Sequence, residues 1–293
     1  MPSTVRHIEM ASIPSMTQML LRASTARKKA QAEPEFLPLT VTARGIRADR
    51  KKLARFRAVC GYESTDTLPL PYPHIMAFAL HMQLMLEPEF PFTPMGAVHI
   101  RNWIRQQRII RTDEPLDFEV RFGAAEEAGK GYEVGIITEV SIEGELIWEE
   151  LSVLLVRKGG TGARKDKKPV VDAPQYRELV QWHLAANKGR QYAAASGDYN
   201  PIHLYPATAK LMGFKRQIMH GMWSKSRAVA HLLPEHYDGP LSVDVSFKLP
   251  VFLPATVTLM YNSDDSGCQF EMRDGRCERP HLAGEIVIGD RPI

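Results

Sequence analysis

The chain has little of what usually places a sequence quickly. Only three of its 293 residues are cysteine, Cys60, Cys268 and Cys277, and no two form a CxxC pair. An odd count without paired spacing argues against a disulfide framework or a cysteine zinc site, and points to a reducing compartment, the cytoplasm. Neither sign of charge prevails. Against 37 Lys and Arg stand 34 Asp and Glu, a net +3 that is too mild to imply nucleic acid as a partner. No run approaches the ~18 apolar residues of a membrane span. The GxSxG elbow of serine hydrolases is missing at Ser196, which sits in ASGD.

What is present reads as an ordinary globular chain, 44% hydrophobic and 24% charged. At roughly 100–200 residues per domain the length predicts two domains, each able to bury a core. Residues 1–33 are an N-terminal extension. Up to Ala30 it carries Arg6, Arg22, Arg27, Lys28 and Lys29 against the single acid Glu9. That charge resembles a transit peptide, but an amphipathic helix from about Pro14 to Ala30 is the reading preferred here.

The first half, residues 34–157, opens with FLPLTVTA at Phe36–Ala43, an alternating strand pattern that Gly45 is expected to break. Asp49 can cap a helix whose Leu53, Phe56 and Val59 share one face. From Ile75 to Leu86 the chain is apolar on nearly every side, the mark of a helix buried all round, with Pro73 at its start and Pro88 after its end. His74 and His81 on this helix read as core or boundary histidines rather than ligands. Strands are predicted over Ala97–Ile110, Leu116–Phe122, Tyr132–Ile142 and Leu146–Val156, with a hairpin at Glu143-Gly144-Glu145. The run RKGGTGARKDKK at Arg157–Lys168 holds six basic residues and three glycines, so residues 158–175 read as a flexible linker.

The second half, residues 176–293, repeats this order. A strand at Leu179–Leu184 leads through a turn at Asn187-Lys188-Gly189 to a helix at Arg190–Ser196. An apolar helix at Met222–Leu233 and strands at Leu241–Leu249, Thr256–Asn262, Gly267–Arg273 and His281–Ile288 follow. FRAVCGYE at Phe56 stands in the place of YAAASGDY at Tyr192, and PHIMAF at Pro73 in the place of MHGMW at Met219, which indicates duplication. Tyr62 then falls opposite Asp198, and the first copy lacks the segment carrying Asn200 and His203. Any catalysis belongs to the second copy.

The densest chemistry lies in Tyr192–Trp223, YAAASGDYNPIHLYPATAKLMGFKRQIMHGMW. Pro201 disfavours helix at Asn200, so the run bends, and a bent run can turn Asp198 and His203 toward one point. A carboxylate and an imidazole so placed hold and polarise a water, with Asn200 fixing the pair. Gly221 begins a helix, where unpaired amides and the dipole favour negative charge and no side chain blocks a carbonyl oxygen. Three other readings stand beside this one. SGDYNP is also a plain turn composition, His220 before a buried helix is often structural, and Asp198, His203 and His220 are metal-ligand types without ligand spacing.

SGDYNPIH, then GF, then MHGMW resembles the signature of MaoC-like dehydratases, the R-specific enoyl-CoA hydratases, and KLPVFLPATV at Lys248–Val257 resembles the family's turn between strands. The resemblance implies an α+β double hot-dog fold, two antiparallel sheets each wrapping a long central apolar helix. It implies reversible hydration of trans-2-enoyl thioesters to (R)-3-hydroxyacyl thioesters in fatty-acid metabolism. Asp198 and His203 would be the catalytic pair, Asn200 their support, and the Gly221 amide the binder of the thioester oxygen. Tyr199, His220, Met222, Lys215 and Arg216 are expected to touch the substrate. Lys210, Lys225 and Arg227 are further candidates for the phosphates of coenzyme A or acyl carrier protein. No metal or redox cofactor is needed by this chemistry, and a homodimer of double hot dogs is expected.

The first copy would serve as a wall for the acyl chain through its apolar helix, with Ala77 and Ala79 facing the chain. Two other functions remain open. One is a non-catalytic acyl-thioester-binding subunit, disfavoured by the intact Asp198/His203 pair. The other is a hot-dog thioesterase, disfavoured because Met222–Leu233 contains no Asp or Glu.

Overall fold

The computed structural model describes residues 5–26, 28, 34–63, 65–94, 96–129, 131–157, 176–233, 239–264 and 266–289. The predicted linker at 158–175 lies outside them. The chain opens with strand β1 (Arg6–Met10) and helix α1 (Met16–Thr25). Then come β2 (Leu39–Ile46), α2 (Arg50–Cys60), α3 (Tyr72–Leu86), β3 (Val98–Gln106), β4 (Leu116–Ala128), β5 (Gly131–Ile142) and β6 (Glu145–Arg157). The second half supplies β7 (Glu178–Leu184), α4 (Lys188–Ser196), a 3-10 turn (Pro201–His203), α5 (Pro206–Leu211), α6 (Gly221–Leu232), β8 (Leu241–Phe247), β9 (Ala255–Asp264), β10 (Gly267–Asp274) and β11 (Pro280–Ile288).

The strands form one eleven-stranded sheet in the order β1-β2-β4-β5-β6-β3-β8-β11-β10-β9-β7. Setting β1 aside, β2-β4-β5-β6-β3 read from one edge and β7-β9-β10-β11-β8 read from the other are the same order. The duplication inferred from sequence is thus a duplication of topology. The two sheets are continuous because β3 and β8 pair antiparallel at the centre, Arg101 opposite Ser246 through Gln106 opposite Leu241. Pairing these two edges removes what would otherwise be two rows of open hydrogen-bonding groups. Each half folds round its own helix. Helix α3, buried along Ala77, Leu80 and Leu84, lies on β2, β4 and β5, and α6 lies on β10 and β11.

Local chemistry accounts for most elements. The Asp49 carboxylate accepts from the amides of Lys51 and Lys52 at 2.8 and 2.9 Å and starts α2 as expected. Asp49→Ala should cost about 1 kcal/mol of unfolding free energy, measured by urea titration. The hairpin after β5 turns through Glu143 and Gly144, both at positive φ (51° and 86°), as a two-residue primed turn requires. Gly45 does not break its strand. At φ 64° it occupies a bulge between Ala43 and Ile46 within β2. The turn expected at Asn187–Gly189 is instead the cap and first residues of α4.

The extension belongs to the first half. β1 pairs parallel to β2, a guanidinium nitrogen of Arg6 meets Glu89 at 2.9 Å, and α1 packs on α3. The helix is shorter than expected. Lys28 lies beyond it, and its ammonium takes up the carbonyls of Met85 (3.0 Å) and Glu87 (2.6 Å) at the end of α3.

Candidate active site

Helix α4 ends at Gly197, whose φ of 82° reverses the chain. The run that follows is held by its own side chains. The Asp198 carboxylate accepts from the Asn200 amide at 3.1 Å, and the Asn200 side chain accepts from the Ile202 amide at 3.3 Å. The 3-10 turn then places His203 below this loop, where it is buried. Its Nδ1 donates to the carbonyl of Ile218 at 2.8 Å, which leaves Nε2 with a free lone pair. Burial lowers the imidazole's pKa from its ordinary 6.5, with the Asp198 charge opposing, so the ring is neutral at pH 7.

His220, the residue before α6, completes the group. Its ring stacks on His203 with centroids 3.7 Å apart, and its Nε2 donates to the Asp198 carbonyl at 2.9 Å. Burial, with His203 beside it, pushes His220 down to about 3. One carboxylate oxygen of Asp198 and one ring nitrogen from each histidine all lie within 4.8 Å of one another. That spacing suits a single bridging water, and a metal ion would also fit it.

The amides of Gly221, Met222 and Trp223 precede the first bond of α6, Ser224 N to His220 O, so the positive end of the helix faces the group. A Cβ on Gly221 would lie 2.9 Å from the ring of Phe247. Gly221→Ala should therefore displace Phe247 or the helix end, and lower kcat/KM by on the order of tenfold in a steady-state assay.

These residues open into a cavity of about 450 Å³ running from the second half into the first. Asp198, Asn200, His203, His220, Gly221 and Met222 line it. Other expected substrate contacts do not. Tyr199, between two inward-facing neighbours, points out and is 43% exposed, and Lys215 and Arg216 are exposed and do not line the cavity, although the adjacent Phe214 does. Lys225 is fully buried, giving its protons to the Asn102 carbonyl and side chain and to the Val243 carbonyl, and Arg227 lies over Trp182. The lysine that lines the cavity and is exposed is Lys248, in the KLPVFLPATV turn.

In the first half, Ile75, Phe78, Met82 and Met85 of α3 form part of the cavity wall, whereas Ala77 and Ala79 face away from it. Sequence reading missed His99 and Ser152 on β3 and β6 and gave His74 and His81 no part in the cavity, yet all four line it. A single histidine in an alternating strand gives no sign of what it will face.

Two hot-dog units sharing one sheet, with an acid, a neutral imidazole and a bare helix start around a deep cavity, define the class. Residues 170–282 match the model of the MaoC like domain. The chain is 31% identical over 275 residues, 93% of its length and 98% of the relative's, to 3-hydroxyacyl-thioester dehydratase X of Mycobacterium tuberculosis. It is 44% identical to the (R)-specific enoyl-CoA hydratase of Aeromonas caviae over 71 residues, 23% of this chain and 52% of that one. The crystal structure of HtdX from M. tuberculosis superposes with a TM-score of 0.73 at 30% identity, covering 84% of this chain and 98% of the other. A MaoC-like dehydratase from Phytophthora capsici shares the fold, with a TM-score of 0.67 at 17% identity over 86% and 94% of the two chains. The chain belongs to the MaoC-like dehydratase family.

Proposed function

We propose that this chain is a hydro-lyase that interconverts trans-2-enoyl and (R)-3-hydroxyacyl thioesters of coenzyme A or acyl carrier protein. The observation that carries the reading is the free Nε2 of a neutral His203 beside the Asp198 carboxylate, at the start of α6. A water between them gives a proton to the pair as its oxygen bonds to C3. The C2–C3 double bond's electrons move toward the thioester carbonyl, where the Gly221 amide meets the developing charge, and a proton passes to C2. Water is added across the bond and nothing is oxidised or reduced. His220 holds the loop through the Asp198 carbonyl.

Lys248 at the cavity's edge takes the place foreseen for Lys215 and Arg216 as a contact for the thioester's phosphates. The three cysteines are free, which fits a reducing compartment, the cytoplasm. No helix among the described residues is long and apolar enough to cross a membrane. The pairing of β3 with β8 already joins two hot-dog units, and a dimer of such pairs is the assembly expected.

The test is hydration of crotonyl-CoA and longer trans-2-enoyl-CoAs, followed as loss of enoyl absorbance, with the product's configuration read by an (R)-specific 3-hydroxyacyl-CoA dehydrogenase. No turnover at any chain length, or an (S) product, overturns the reading.

A further inference from the structure

The first-half end of the cavity is built unlike a hydrocarbon pocket. His74, His81, His99 and Ser152 line it, and the fully buried carboxylate of Glu150 stands behind them. Glu150 accepts from His74 Nδ1 at 2.6 Å and from the Asn102 side-chain amide at 2.5 Å, and lies 3.8 Å from His81 Nε2. His81 Nε2 is 2.7 Å from the Thr138 hydroxyl, and the Asn102 amide also donates to Ser152 at 3.1 Å. Burying a carboxylate, three imidazoles and two hydroxyls costs far more than lining the same wall with Leu and Val. A purely hydrocarbon tail would gain nothing from it.

Part of this network ties the halves together, since Lys225 of α6 bonds Asn102 of β3 and through it reaches Glu150. That role does not account for His99. Its ring lies beside His74 and Phe247, its Nε2 is closed off from solvent, and that nitrogen has no hydrogen-bond partner among the described residues. Glu150 Oε2 likewise accepts no hydrogen bond among them. Both atoms are sealed from the cavity as well as from solvent, so what the cavity meets is the rest of the His99 ring and the Ser152 hydroxyl, which accepts from Asn102 and keeps its own proton to donate.

The lining also limits what can enter. A carboxylate would face the Glu150 charge, while Lys225 has already given its protons to three oxygens. An ammonium would lose its water in a cavity otherwise walled by Ile75, Phe78, Met82 and Met85. Burial holds His81 and His99 at about 4 and about 3, so both are neutral and can each donate or accept. A hydroxyl, donor and acceptor at once, matches such a wall.

We infer that the preferred substrate carries a hydroxyl on its acyl chain, beyond the reacting C2 and C3, received by His99, His81 and Ser152 at the first-half end of the cavity. This rests on the hydratase reading above and names the substrate class within it.

The test uses trans-2-enoyl-CoAs of one chain length. One is unsubstituted, others carry a hydroxyl moved carbon by carbon toward the end, and two carry a terminal carboxylate or amine. The readout is the ratio of kcat/KM for each to that of the unsubstituted chain, in wild type, His99→Phe and Ser152→Ala. At one hydroxyl position the ratio should reach on the order of tenfold or more, and it should fall toward unity in the variants. A ratio near or below one at every position, a preference for the charged ends, or a ratio unmoved in whichever variants fold overturns the inference while leaving the hydratase reading intact. Absence of turnover on every chain is a failure of the hydratase reading instead. Calorimetric affinities of the hydroxylated and plain 3-hydroxyacyl-CoAs then decide the inference by the same ratio.

Discussion

Asp198→Asn and His203→Ala should each lower kcat by ~10²–10⁴ on crotonyl-CoA, with KM changed far less. The reasoning is geometric. Asn at 198 keeps an oxygen to accept from the Asn200 amide, so the loop that Asp198 anchors is retained while the charge and proton acceptor are lost. His203→Ala removes the free Nε2 and also orphans the Ile218 carbonyl and the ring stacked on His220. It should therefore also lower stability, by about 1–3 kcal/mol, where Asp198→Asn should not. The contrast separates chemistry from scaffolding. Since the two residues act on one water, the double variant should lose little more than either single one. Full additivity in log kcat would show two independent roles and sink the bridging-water arrangement. A pH profile of kcat/KM adds a further check. The His203 pKa is lowered by burial, so the acid limb of the profile should lie below pH 6.5, the ordinary histidine value.

Stability should rise with pH from acid into the alkaline range. Burial holds His81 at about 4 and His99 and His220 at about 3, against 6.5 in the unfolded chain. Below 6.5 the unfolded chain binds protons that the folded chain refuses. The folded state's advantage is therefore complete above 6.5 and is lost as pH falls toward those lower values. Three such groups cost on the order of 2–4 kcal/mol between pH 6.5 and 5, allowing for relaxation round each ring. Burial alone would raise the Glu150 carboxyl, but His74 and His81 hold it well below the usual carboxylate range, so it adds to the loss in stronger acid.

On the other side, burial lowers Lys225 to about 7 from 10.5. Its unfavourable contribution is full at neutral pH and below, and is relieved as pH rises from 7 toward 10.5. Burial raises the Cys60 thiol and the Tyr72 and Tyr192 phenols, groups whose stabilisation is complete below their ordinary values of 9.0, 10.0 and 10.0 and is lost above them. The relief at Lys225 runs on toward 10.5 while the losses begin only above 9.0, so the optimum should lie at about pH 9–10. Urea midpoints measured between pH 5 and 10 check this. A flat profile, or a maximum near pH 5, contradicts it. Burial also lowers Lys28 to about 8, so Lys225→Met, which removes the group that starts the rising limb near neutrality, should flatten the profile between about pH 7 and 8 and reduce the rise above it.

The sequence alone was sufficient wherever a property belongs to a short stretch. The periodicity of Leu53, Phe56 and Val59, the all-round apolar run before Pro88, and the turn at Glu143-Gly144 each named their element, because 3.6-fold, uniform and primed-turn patterns are satisfied within a few residues. The repeat of order, and the loss of the Asn200–His203 segment from one copy, were also legible, and the resemblance of SGDYNPIH and MHGMW to the family's signature implied the α+β double hot dog. So was the cluster of Asp198, Asn200, His203 and Gly221, since one bent run and one helix start hold all four. β1 gave no such sign, because a five-residue edge strand shows too short a pattern.

What the tertiary structure decided is which side chains from distant stretches share a space. Tyr199, Lys215 and Arg216 adjoin the motif in sequence and still face solvent, because a loop has no regular period and each side chain's direction is set by the turn that holds it. Lys225, one of several cations near the site in sequence, is sealed between β3 and β8. His99 and Ser152 lie far from the motif along the chain, on strands β3 and β6, which pair with each other, and β3 also pairs with the second half through β8. They meet His74, His81 and Glu150 through the pairing of β3 with β6 and the packing of α3 within the first half, and the β3–β8 pair joins that half to the second. No local pattern encodes that meeting, since it depends on contacts whose partners are tens to hundreds of residues apart.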